Sequence, residues 1–73
     1  MKRGENMFPN LDAEQARYKM TNEKTANYLN LSRVSYEKKK RSGKFTIREG
    51  KLLCKLFKVK FEYLFAEDDK KVG

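Results

Sequence analysis

Apolar positions in this chain come in short groups separated by polar residues, and the clearest group lies between residues 46 and 57. Ile47, Gly50, Leu53, Cys54 and Phe57 recur at spacings of three and four, and Leu52 and Leu56 widen the stripe, which predicts an amphipathic helix. Thr46 and Glu49 stand ahead of it as T-x-x-E, the pair that satisfies two orphan amides at a helix start. Three weaker patterns precede it. Asn10 is expected to cap a first helix running to about Lys19, with Asp12 and Glu14 in its first turn and Leu11, Ala13, Ala16 and Tyr18 as its apolar positions. Thr21 is expected to cap a second helix, Asn22–Leu29, that turns Ala26 and Leu29 inward. Ser32 caps a third, from Arg33 to about Arg41, which stops at Ser42–Gly43. After the long amphipathic helix, Val59 leads into a short fifth helix, Phe61–Phe65. No strand pattern, repeat or low-complexity block appears. The expected architecture is all-α: a compact five-helix domain over residues 10–66, a flexible basic arm over 1–9 and a polar tail over 67–73.

Composition narrows this picture. A chain of 73 residues supports one small core, and local helical contacts are the easiest way to build it. Charged residues make up 38 % of the chain, against about a quarter in average domains. The net charge is +8 and it is unevenly placed: residues 31–60 hold eleven Lys and Arg against two acids. Five of those cations fall between Lys38 and Lys44. A basic middle between nearly neutral ends points to a localised surface for a polyanion, with a solvated basic face as the alternative.

Other chemistries find little support. The chain has no histidine and one cysteine, Cys54, so no disulfide within the chain and no metal-ligand set is available. No nucleophile–base set, phosphate-cradling glycine loop or carboxylate pair in an apolar setting appears, so a non-enzyme without cofactor is expected. Cys54 lies on the apolar stripe and reads as a small core residue. Lys2 and Arg3 are not followed by an apolar stretch, and no segment is long enough to span a membrane, so a cytoplasmic protein is expected.

The junction between the second and third helices carries the functional signal. Ala26 is small enough for a second helix to cross it. Asn30 tolerates the positive φ of a tight turn, Leu31 plugs the core, and Tyr36 reaches the same core from the inner face of the third helix. The spacing A-x3-N-L-S-x3-Y fits a helix-turn-helix, in which the second helix of the pair enters the DNA major groove.

"MTNEKTANYLNLSRVSYEKK" followed by "GKFTIREGKLLCKLFKVKFEYLF" resembles the phage-repressor and Cro-type helix-turn-helix domains, the xenobiotic-response-element-like regulators. The resemblance covers roughly residues 8–66 and takes in "MFPNL" and "FEYLF", which are similar to segments of small phage-encoded members. It implies a transcriptional regulator or repressor that binds double-stranded DNA as a homodimer, with no membrane partner and no small-molecule ligand evident. It also implies roles for individual residues. Arg33, Val34, Glu37 and Lys38 would meet base edges. Asn22, Ser32, Ser35, Lys40, Arg41 and Lys44 would meet phosphates. Lys39 stands where the family favours an apolar residue, so its stem would cover apolar surface while its ammonium stays wet. Arg33 and Glu37 could instead simply pair at i, i+4. The aromatic excess of Phe61, Tyr63 and Phe65 would form the dimer contact. The same three residues support a rival function, an antirepressor-like module of this fold that grips a protein.

Overall fold

A computed structural model describes residues 7–67 and is helical throughout, with five helices and no strand among the described residues. They are α1 (Pro9–Arg17), α2 (Asn22–Tyr28), α3 (Arg33–Ser42), α4 (Ile47–Phe57) and α5 (Phe61–Leu64). α2 packs against α3, α4 against α5, and α5 against α1. Phe8, Leu11, Ala26, Leu29, Tyr36, Leu53, Phe57 and Leu64 form the buried core, with Leu31, Phe45, Leu52, Cys54 and Phe65 packed around it.

Side-chain caps define the starts of α2, α3 and α4. Thr21, Ser32 and Thr46 each accept the backbone N–H three residues on, and the Glu49 carboxylate closes the capping box on the Thr46 amide at 3.0 Å. The first helix starts differently from expectation. Pro9 occupies its first turn after Phe8, and Asn10 caps nothing. Proline has no N–H to satisfy there and its φ is already helical. Asn10 lies inside the turn, and its amide donates to the Tyr63 carbonyl of α5 at 2.8 Å.

Four helices end on a residue in the left-handed region, and three of these residues are not glycine: Lys19 (φ 56°), Asn30 (φ 62°) and Lys58 (φ 57°). After α2, Leu31 N–H reaches the Ala26 carbonyl at 2.8 Å and Asn30 N–H the Asn27 carbonyl at 3.0 Å. This pair of bonds is the Schellman closure, and it seats Leu31 against the core. Met20 N–H to Gln15 and Lys19 N–H to Ala16 repeat it after α1, which therefore ends at Arg17 and not at Lys19. α3 ends on Gly43 at φ 78°, close enough to Met7 that a Cβ there would lie 2.7 Å from the Met7 sulfur. Gly50 serves packing instead. Its bare Cα lets the Phe61 ring of α5 approach the α4 backbone, within 2.8 Å of where a Cβ would stand.

Two inward stripes depart from expectation. α1 buries Leu11, Glu14 and Gln15, while Ala13, Ala16 and Tyr18 face out. Ile47, expected on the inner face of α4, is 74 % exposed, because that face is centred on Gly50, Leu53 and Phe57. Glu14 accepts from the Tyr63 hydroxyl at 3.0 Å, so α1 and α5 are joined by a polar contact as well as by packing. Its other oxygen, Oε1, is buried without a hydrogen-bond partner among the described residues. Of the expected basic arm, Met7 to Pro9 belong to the fold: Phe8 is buried, and Met7 N–H donates to the Lys40 carbonyl at 3.0 Å. Lys2 and Arg3, and the tail beyond Glu67, lie outside the described residues.

Candidate nucleic-acid interface

α3 carries the densest charge in the chain, and its two faces do different things. Tyr36 and Lys40, one turn apart, face inward and are buried. Val34, Lys38 and Arg41 are exposed and their helical spacing puts them on the opposite side, while Arg33, three residues before Tyr36 and in line with it, is exposed at the start of the helix. Ser32, Ser35 and Lys44 are exposed around them. Val34, at 56 % exposure, offers an apolar spot beside the first cation. The four-residue connection from Leu29 to Ser32, closed by the Asn30 turn, fixes α3 against α2 and so sets which side faces out.

Three residues expected at this surface are engaged elsewhere. Lys40, read as a phosphate contact, is only 6 % exposed. Its ammonium pairs with Asp12 Oδ1 at 2.7 Å and donates to Gln15 Oε1 at 3.1 Å and Asn22 Oδ1 at 3.0 Å. It also lies 5.3 Å from the Tyr36 ring centroid, within cation–π range. Tyr36 donates its hydroxyl to Gln15 Oε1, and burial pushes that hydroxyl far above the ordinary tyrosine range. Asn22, also read as a phosphate contact, spends its amide inside the fold. Its oxygen accepts from Lys40 and Gln15, and its nitrogen donates to Glu37 Oε2 at 3.0 Å. Glu37, read as a base contact, is held by Asn22 and by Arg33, whose Nη1 donates to both carboxylate oxygens at 3.1 and 3.0 Å. The Asn22 bond first, then the Arg33 bond and charge, keep the Glu37 carboxyl below the usual carboxylate range.

The signal for Lys40 was present in the sequence. It stands four residues after Tyr36, so if Tyr36 points inward, Lys40 does too. Gln15 was missed for the parallel reason: it lies four residues after Leu11 on the buried side of α1. Lys39 lies half-buried at the rim, but its ammonium is not left to water: it pairs with Glu49 at 3.3 Å and donates to the Lys44 carbonyl.

The C-terminal aromatics form a second surface feature. Phe61 and Tyr63 are exposed, whereas Phe65 is half-buried and packs edge-on against Phe8 with centroids 5.1 Å apart. Among the described residues no group of His, Cys, Asp and Glu is placed to hold a metal ion, and no helix is long and apolar enough to cross a membrane.

No protein-family model, characterised protein or solved structure matches the chain.

Proposed function

We propose that this chain is a sequence-specific double-stranded DNA-binding domain acting as a small transcriptional regulator, with α2 and α3 as a helix-turn-helix and α3 as the reading helix. One observation carries the reading: α3 follows a tight turn with one face locked into the core by Tyr36 and Lys40, and presents Val34, Lys38 and Arg41 on the other, with Arg33 exposed at its start. Arg33 and Val34 stand on its first turn, where a long side chain suits guanine and a branched apolar one suits the thymine methyl. Lys38 is one turn further on. Ser32, Ser35, Arg41 and Lys44 suit phosphates, which fix register without reading sequence. Asn22, Glu37 and Lys40 leave the list of direct contacts.

A single reading helix meets few bases, so a homodimer on paired half-sites supplies the remaining affinity. Exposed Phe61 and Tyr63 are the surface for it. The same exposure favours a second reading in which these aromatics grip another protein. Retention on duplex-DNA resin and elution by salt separates the two. The test of the leading reading is selection of bound duplexes from a random pool. It should return one motif with two half-sites about one helical turn apart. Recovery of an unbiased pool would remove the sequence-specific reading.

A further inference from the structure

Glu37 and Asn22 enter the sequence reading as DNA contacts, and the geometry gives them another occupation. A continuous chain of polar contacts runs from α1 to the exposed first residue of α3. Asp12 holds the Lys40 ammonium at 2.7 Å, and Lys40 donates to Asn22 Oδ1 at 3.0 Å. Asn22 Nδ2 donates to Glu37 Oε2 at 3.0 Å, and Glu37 receives Arg33 through both its oxygens. The Asn22 amide cannot flip within this chain, because its oxygen faces an ammonium and its nitrogen a carboxylate. The carboxylate is thereby fixed from below, and it fixes the guanidinium above it.

Both Arg33 bonds leave from Nη1. The Nη2 and Nε side of the guanidinium makes no hydrogen bond among the described residues, and the Arg33 side chain is 55 % exposed. A guanidinium is a rigid planar fork, so holding one nitrogen orients the remaining donors. Two of them match the paired acceptors O6 and N7 of guanine. Fixing the side chain before DNA arrives removes the ordering cost from the binding step. Glu37 also comes with a penalty that a merely solvated residue would avoid. It is the one acid in residues 31–45, and a carboxylate on α3 repels phosphate.

We propose that Glu37 and Asn22 are positioning residues for sequence reading: they hold Arg33 with its Nη2–Nε side available to a guanine and touch no base themselves. The inference rests on the DNA-reading proposal above.

The experiment uses the full chain and two duplexes, the selected site and a random sequence, titrated at the same salt. Glu37→Ala should bind the random duplex at least as tightly as the wild type, while the ratio of selected to random affinity falls about ten-fold. Glu37→Gln, which keeps an oxygen for Arg33 and Asn22, should recover part of that ratio. In an Arg33→Ala background, Glu37→Ala should remove no further preference, since it acts through Arg33. Glu37→Met, of similar length, repeats the test if the alanine variant melts early. Equal weakening on both duplexes overturns the proposal, because it marks a phosphate or folding role. So does further loss of preference on top of Arg33→Ala, because Glu37 would then read a base itself. If the wild type selects no motif, the parent reading fails and this one with it. A wild-type motif that survives Glu37→Ala unchanged overturns this inference alone.

Discussion

Replacing Lys40 with methionine should make the domain easier to unfold without loosening its hold on polyanions. Methionine keeps most of the buried stem and deletes the ammonium. Three acceptors lose a donor, but none is left bare. Asn22 Oδ1 keeps the Gln15 amide, Gln15 Oε1 keeps the Tyr36 hydroxyl, and the Asp12 side chain is 52 % exposed and is rehydrated. The cost is therefore that of lost charge-assisted hydrogen bonds, about 1.5–2 kcal/mol, and not the roughly 3–5 kcal/mol of a stranded buried charge. In a domain of this size each kcal/mol moves Tm by about 4–8 °C, so a fall of about 6–16 °C follows. Lys40→Ala should cost about 0.8 kcal/mol more for each buried methylene removed. The assay is thermal melting by circular dichroism of wild type, Lys40→Met, Asp12→Ala and the double variant, with a random-duplex titration of each below its transition. The two single losses should not add, because they break one pair. A Lys40→Met variant that melts like the wild type but binds random DNA more weakly would refute the reasoning, since the ammonium would then be reaching a phosphate.

Tyr63→Phe should lower the midpoint of chemical denaturation, because buried Glu14 Oε2 loses its hydroxyl donor and keeps only Arg17 at 3.8 Å, while its second oxygen has no partner among the described residues; no change in midpoint would make Tyr63 a surface residue only. Asn30→Gly should be neutral or stabilising, whereas Gly43→Ala should cost about 1–3 kcal/mol, since both positions are left-handed and only the second substitution adds a Cβ there; equal effects in paired melts would contradict this. Glu37 is held below its unfolded pKa by Asn22 and Arg33, so its contribution to stability is present above the unfolded value of about 4.3 and fades as pH falls through the folded one. Melting temperature against pH should therefore fall less steeply on the acid side for Glu37→Gln than for the wild type, and matching slopes would show that the carboxylate is not held.

Local chemistry made much of this fold legible. Thr21, Ser32 and the Thr46–Glu49 box act within a few residues of themselves, so their signals survive any tertiary arrangement. Asn30 and Gly43 were readable for the same reason. The left-handed Lys19 and Lys58 were not, because lysine has no local preference for that region and the closing bonds of each turn supply the reason. Asn10 looked like a cap because its partner, the Tyr63 carbonyl, is 53 residues away. The candidate site was legible in outline and misassigned in detail. Charge alone groups the cations of α3 together, and helical periodicity divides them: Lys38 and Arg41 face out, Lys39 lies at a rim, and Lys40 is inside. Charge alone also could not show that Glu37 is committed to both Asn22 and Arg33, since the first of those bonds joins two helices.

The central claim is that α3 reads sequence through its first exposed turn, and a pair of titrations tests it most directly. Arg33→Ala and Arg41→Ala are each measured on the selected duplex and on a random one at equal salt. Arg33→Ala should cost about 1–3 kcal/mol on the selected site and much less on random DNA, as expected for a base contact. Arg41→Ala should weaken both alike, as expected for a phosphate contact. Equal losses on the two duplexes for Arg33→Ala would contradict the account and leave α3 a non-specific polyanion clamp.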